Sequence, residues 1–329
     1  MERQNLQLGV MTLSPPVLLA PMAGISDLPW RQLVASFGAG LVVSEMVASQ
    51  EVVQAKPLAR ARAELGFDQV STSVQLAGRD AHWMAEAARF VEGQGAQVID
   101  INMGCPAKRV TTGACGSALL KDLPLALRLI EAVVGAVKVP VTLKTRLGWD
   151  DTDLNAPVLA RLAESAGVQM ITIHGRTRNQ FYKGQADWAA IKAVKQAVRI
   201  PVIANGDITD AASARTALQL SGADGVMVGR GAQGAPWRLA EIAHAVYGTP
   251  APQIPQGATL ADMIAGHYEA ILSFYGAALG LRVARKHLGW YLDVAGLEAD
   301  RASLMTAATP EATLALIART FGHSERRAA

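Results

Sequence analysis

Eight times between Val17 and Gly231 the chain repeats one pattern. A short run of aliphatic and β-branched residues ends on a glycine or a polar side chain, and an amphipathic stretch follows. The runs are Val17–Ala20, Leu41–Met46, Thr72–Leu76, Val98–Ile101, Val141–Arg146, Met170–Gly175, Val202–Asp207 and Gly225–Gly231. Runs this apolar suit parallel strands covered on both faces by helices. Eight strand–helix units predict a closed (β/α)8 TIM barrel, an α/β fold. A doubly wound open sheet is the competing architecture, and the regularity of the repeat favours the barrel. Ahead of the first unit, Leu6 to Leu13 reads as a short hairpin before Pro15-Pro16.

After the eighth unit the pattern stops. Gly248 to Gly257 holds three prolines and two glycines in ten residues, the mark of a domain boundary. Beyond it the periodicity is helical and no segment reads as a strand. The expected division is a barrel over 1–247, a linker over 248–257 and a small all-helical domain over 258–329. The last residues, Ser324 to Ala329, read as a frayed end. Half of the 329 residues are hydrophobic, enough for a large core, and the net charge is +3. Two cysteines, Cys105 and Cys115, make neither a disulfide framework nor a zinc site, so no metal is expected. The start lacks an apolar signal segment, and no apolar run reaches the length of a membrane span. A monomeric cytoplasmic protein is the expectation.

In a barrel the C-terminal ends of the strands share one mouth. Reading across them gives Met22, Gln75, Asn102, Cys105, Lys144, Arg146, His174, Asn205 and Arg230. Lysine at the end of an apolar strand is costly without a partner. Cys105 has two readings: a small core residue, as free cysteine often is, or a reactive group held in a shaped loop. Asn102, Gly104 and Pro106 around it favour the loop. Asn205-Gly206-Asp207 and Gly229-Arg230-Gly231 are glycine-bearing turns after strands seven and eight. Their backbone N–H groups can cradle a phosphate, which predicts a phosphorylated ligand in the mouth.

Six segments together resemble the tRNA-dihydrouridine synthases, the B-type bacterial subgroup nearest. They are Ala20-Pro21-Met22-Ala23-Gly24, Asp100-Ile101-Asn102-Met103-Gly104-Cys105-Pro106, Thr142-Leu143-Lys144-Thr145-Arg146, Ile173-His174-Gly175-Arg176-Thr177-Arg178, Asn205-Gly206-Asp207 and Val228-Gly229-Arg230-Gly231. Asn-x-Gly-Cys-Pro is the most specific of them. The resemblance covers the barrel and extends into the tail. It implies an FMN enzyme that reduces tRNA uridine to 5,6-dihydrouridine with NADPH. It places Pro21, Met22 and Ala23 along the flavin ring, with Gln75 and Lys144 at its polar edge. Asn205, Gly206, Asp207, Gly229 and Arg230 fall at its phosphate and His174 beside it. Asn102 and Arg176 fall on the substrate side.

Saturating the uracil C5–C6 bond takes a hydride on C6 and a proton on C5. The resemblance implies hydride transfer from flavin N5 and protonation by the Cys105 thiol, with Lys144 and His174 completing the catalytic set. The target base must leave its stack to reach such a site. In the tail, Arg282, Arg285 and Lys286 recur at i, i+3 and i+4, with Trp290 and Tyr291 nearby; this predicts a basic helical face for RNA phosphate. Two alternatives belong to other classes: an FMN barrel acting on a free pyrimidine or another small molecule, and an idle RNA-binding or regulatory protein. A small substrate needs no basic tail. The presence of Cys105, Lys144 and His174 argues against an idle one.

Overall fold

The computed structural model describes residues 5–66 and 72–322. Ser324 to Ala329 lie outside the described residues. The strands are β1 (Leu6–Leu8), β2 (Met11–Leu13), β3 (Val17–Leu19), β4 (Leu41–Val43), β5 (Val47–Ala48), β6 (Thr72–Ala77), β7 (Val98–Met103), β8 (Val141–Arg146), β9 (Met170–His174), β10 (Val202–Asn205) and β11 (Gly225–Val228). The helices are α1 (Leu28–Ser36), α2 (Ser49–Val53), α3 (Pro57–Ala63), α4 (Ala81–Gly93), α5 (Lys108–Thr111), α6 (Leu123–Val134), α7 (Ala156–Ser165), α8 (Trp188–Ala197), α9 (Ala211–Ser221), α10 (Arg238–Tyr247), α11 (Gly257–Tyr275), α12 (Ala277–Ala295), α13 (Arg301–Thr306) and α14 (Pro310–Phe321).

The parallel strands run in the order β4-β3-β11-β10-β9-β8-β7-β6-β5, and a β4–β6 pairing closes the ring. The expected barrel is present, with one change at its second strand. The run Leu41–Met46 is not one strand: β4 stops at Val43 and β5 resumes at Val47. Between them the Ser44 side chain accepts the Gln75 N–H, and Glu45 reaches across to Gly24. The polar pair Ser44-Glu45 is used for these bonds, although the Ser44 N–H still donates to the Ser73 carbonyl of β6 at 2.9 Å.

Alternation along each strand sorts two cores. Val17, Leu19 and Val42 point outward onto the helices. Leu18, Leu41, Val43, Val98, Met170, Ile203 and Met227 point inward, where Leu6, Leu8 and Leu13 of the β1–β2 hairpin join them. The hairpin therefore plugs the floor of the barrel. Five barrel helices begin on an aspartate whose carboxylate accepts an N–H of the first turn: Asp27, Asp80, Asp122, Asp187 and Asp210. Such caps are worth about 1 kcal/mol each.

Residues between α10 and α11 are irregular, and the elements described beyond them are all helices. The tail packs on α1. The Trp30 ring lies 5.5 Å from the His267 ring and 5.3 Å from the His287 ring, and His267 bonds the Tyr291 hydroxyl at 2.9 Å. Among the described residues, no helix is long and apolar enough to cross a membrane.

Candidate active site

Above the apolar floor the inward positions turn polar. Gln75 stands opposite Asp100, Asp100 opposite Thr142, Asn102 opposite Lys144, and His174 opposite both Arg146 and Asn205. Of these, Gln75, Asn102, Lys144, Arg146, His174 and Asn205 border a cavity of about 620 Å³ at the C-terminal mouth. Asp100, buried, accepts from Gln75 Nε2 at 2.6 Å and from Thr142 Oγ1 at 2.6 Å. Gln75 Oε1 accepts from Asn102 Nδ2 at 2.8 Å, and Asn102 Oδ1 accepts the N–H groups of Gly104 at 3.2 Å and Cys105 at 3.0 Å. Each amide has its orientation fixed by the one before it. Both Asp100 oxygens accept here, so the relay has one direction and ends on the cysteine loop. Burial pushes the Asp100 carboxyl up, against the bonds from Gln75 and Thr142 and the charge of Lys144.

Two further groups frame Cys105. Ser117 donates to the Cys105 carbonyl from both its N–H, at 3.1 Å, and its hydroxyl, at 2.9 Å. Arg146 Nε donates to the Gly104 carbonyl at 2.7 Å, while its Nη1 holds Thr177 and Phe181 carbonyls. The segment after β7 thus folds back onto the Cys105 peptide. Cys105 lines the cavity. Cys115 turns away, its thiol on the Gly113 carbonyl at 3.3 Å, and burial pushes that thiol up.

Lys144 Nζ donates to Asn205 Oδ1 at 3.0 Å, and Asn205 Nδ2 is fixed in turn on the Met227 carbonyl at 2.8 Å. Burial, then Arg146, pulls the ammonium down to about 8, against the opposing charge of Asp100. Burial also holds His174 well below 6.5, helped by Lys144, Arg146, Arg176 and Arg230, so its ring is neutral at pH 7. His174 Nε2 lies 3.3 Å from Arg176 Nη1. A guanidinium only donates, so Nε2 accepts and the ring proton is assigned to Nδ1.

At the far end stand the two glycine turns. Asp207 adopts φ +53° and Gly206 φ +111°. A Cβ on Gly206 would come within 3.0 Å of His174 Cδ2, so the close approach requires glycine there. Among the described residues, none accepts a hydrogen bond from the backbone N–H of Gly206, Asp207, Gly229 or Arg230. The Arg230 side chain is 60% exposed and lies over the Tyr182 ring at 5.3 Å. This is the donor set of an anion cradle.

A family model described as "Dihydrouridine synthase (Dus)" matches residues 18–323. The chain belongs to the dihydrouridine synthase family. It is 64% identical over 326 residues to a "Probable tRNA-dihydrouridine synthase" of Rhodobacter capsulatus, covering 99% of this chain and 100% of that protein. It is 47% identical to the "tRNA-dihydrouridine synthase B" of Xanthomonas campestris pv. campestris, covering 94% of each. Among solved structures, histamine dehydrogenase from Rhizobium sp. 4-9 matches with a TM-score of 0.56 at 12% identity. That match covers 81% of this chain and 50% of that one, and it supports the barrel fold alone.

In this member of the dihydrouridine synthase family, Pro21, Met22, Ala23, Gln75, Asn102, Cys105, Lys144, His174, Asn205, Gly206, Asp207, Gly229 and Arg230 all border the one cavity. Arg176 does not. Its five N–H groups go to Lys183, His174, Gly184 and, twice, Asp207, and the side chain is only 2% exposed. It holds the Asp207 turn and offers nothing to a substrate. Asp207, with Arg176 and the Ala186 N–H on its carboxylate, can meet an anion only through its backbone. In spite of burial, those bonds hold its carboxyl below the usual range.

The basic helical face also divides. Arg282 is exposed, Arg285 donates to the Ala307 carbonyl at 3.3 Å, and Lys286 donates to the Gly24 carbonyl of the barrel. Trp290 and Tyr291 pack within the junction, Tyr291 fully buried. Sequence reasoning gave no role to Asp100, Glu45, Ser117 or Tyr182. Asp100 carried a signal, a carboxylate inside an otherwise apolar run.

Proposed function

We propose that this protein binds FMN in the barrel mouth and reduces uridine in tRNA to 5,6-dihydrouridine, with NADPH as reductant. The observation that carries the reading is the placement of Cys105. A four-residue relay from Asp100 holds its loop at one wall of a cavity whose far wall is an anion cradle. The residues fit the cofactor. Unbonded N–H groups at residues 206, 207, 229 and 230, with the exposed Arg230 guanidinium that also pairs with Asp207 at 3.7 Å, suit its phosphate. Pro21, Met22 and Ala23 offer an apolar wall for a flat ring. Lys144, and the Gln75 amide N–H not used by the relay, suit its polar edge.

When bound, the flavin supplies the hydride. The chain supplies the remainder. Cys105 holds the proton for C5 of the base. Lys144 stabilises negative charge at the ligand's polar edge. Neutral His174 presents its Nδ1–H without adding charge. Asn102 keeps the cysteine loop in position and borders the space for the base. The helical tail, expected over 258–329, stands at the rim, where it can hold the body of an RNA.

The test begins with colour. The purified protein should absorb as a flavoprotein, and NADPH should bleach it. Incubation with tRNA lacking dihydrouridine should then restore the colour and yield the modified base. A protein that takes up no FMN rejects the reading. Reduction of free pyrimidines with no turnover of tRNA replaces it with the small-substrate alternative.

A further inference from the structure

We propose that Lys286, from the tail, is a positioning residue of the flavin pocket and not a phosphate contact. The inference rests on the FMN reading above. Its centre is one peptide unit. Gly24 lies between Ala23 and Ile25, both of which border the cavity. It adopts φ +72°, which turns the chain sharply there. Its N–H donates to the buried carboxylate of Glu45, and its carbonyl accepts from the Lys286 ammonium. One glycine thus has an ionised side chain on each of its polar groups, one from the barrel and one from α12. Charge-assisted bonds of this kind are about twice as strong as neutral ones.

Elsewhere in the loop, Ala20 N–H donates to the Val228 carbonyl at 2.8 Å and Arg31 of α1 donates to the Ser26 carbonyl at 2.7 Å, so its two ends are held; the bonds at its middle are internal. Met22 N–H donates to Ser26 Oγ at 2.8 Å, and Ile25 N–H to the Met22 carbonyl at 2.9 Å. They shape the turn and do not tie it to the barrel wall. Glu45 and Lys286 do that. Glu45 is itself placed: Ser44 Oγ donates to its carbonyl at 2.8 Å and accepts the Gln75 N–H at 3.0 Å. Gln75 belongs to the relay that ends at Cys105. A continuous set of hydrogen bonds therefore runs from the tail through the flavin-side loop to the cysteine loop.

The tail's other cations support the division. Arg282, one turn earlier on α12, is exposed and free to meet phosphate. Lys286 is half-buried, with its ammonium already bonded to a residue 262 positions away in the chain. Removing it frees one side of the loop against which a flavin ring would rest.

The experiment is FMN titration of the full-length protein without tRNA, together with visible circular dichroism of the bound flavin. Lys286→Met should bind FMN about tenfold more weakly, the scale of one lost charged hydrogen bond, and should change the flavin dichroism. Lys286→Arg, which keeps a cationic donor, should recover most of both. Wild-type FMN affinity and dichroism in Lys286→Met overturn the proposal; a flattened salt dependence of tRNA binding in that variant would then make Lys286 a phosphate contact. A wild-type protein that takes up no FMN rejects the flavin reading, and is recognised before any variant is compared.

Discussion

The side-chain oxygen of Asn102 accepts the backbone N–H of Cys105 at 3.0 Å, and that oxygen points there because Gln75 holds the amide nitrogen on the other side. A reactive side chain is thus placed through its main chain, which leaves the thiol free. Two hydrogen bonds from Ser117 to the Cys105 carbonyl hold the same residue from the opposite end. A general acid is effective only when held within hydrogen-bond reach of the atom it protonates.

Cys105→Ala should retain FMN and oxidise NADPH, yet lose most dihydrouridine formation. General acid catalysis is worth about 10²–10⁴-fold. Cys115→Ala should change turnover little, since that thiol faces the Gly113 carbonyl. Base analysis of tRNA after a fixed reaction time checks both. Near-normal yield from Cys105→Ala rejects the thiol as proton donor.

Arg230 and Arg176 should separate ligand binding from folding. Arg230→Ala removes an exposed side chain and should weaken FMN by about 1.5–3 kcal/mol with little change in Tm. Arg176→Ala leaves buried acceptors and Asp207 without their partner, at a cost of about 3–5 kcal/mol of stability. Thermal melts and flavin content of the two purified variants test the contrast. Full flavin in Arg230→Ala would move the phosphate site elsewhere.

Lys144 sets a pH dependence. Its ammonium, pulled down to about 8 chiefly by burial, is present below that pH and lost above it. FMN affinity should therefore fall as pH rises through about 8, by up to about tenfold per unit. Lys144→Met should bind more weakly and show no such fall. A flat wild-type profile from pH 7 to 9 would remove Lys144 from the cofactor's contacts.

The histidines at the junction set another. Burial holds His267 down to about 3, and burial with the charge of Lys286 holds His287 well below 6.5. Unfolded, both titrate near 6.5, so below that pH the unfolded chain takes up protons that the folded one refuses. Stability is full above 6.5 and is lost as pH falls, by up to about 1.4 kcal/mol per unit for each ring. Asp27, raised to about 6 mainly by burial, acts in the opposite sense below 6. Comparing His287→Phe with wild type isolates one ring: its Tm should drop less between pH 7 and pH 5. An equal drop would mean that His287 is not a buried neutral group.

The barrel and most of its rim were legible because their signals are local. A β-branched run that ends on glycine or a polar residue marks a strand end wherever it occurs, and eight of them fix a common mouth. What escaped was set by distant partners. Glu45 looked like the polar end of a strand, because its acceptor role depends on Gly24, 21 residues earlier. Asp100 needs Gln75 and Thr142 from the two neighbouring strands. The spacing of Arg282, Arg285 and Lys286 described a helix face correctly but said nothing of what packs against it. Arg176 looked like a rim cation, and only the fold shows all five donors consumed.

The hairpin beneath the barrel, with Leu6, Leu8 and Leu13 sealed among Leu18, Met170 and Ile203, makes the cavity a blind vessel. Whatever enters must leave by the same opening. In the proposed reaction the nicotinamide and the uridine cannot approach from opposite sides, so each must vacate the doorway before the other arrives. Such taking of turns gives parallel lines in double-reciprocal plots of rate against one reactant at several levels of the other. Intersecting lines would mean that both reactants share the vessel at once.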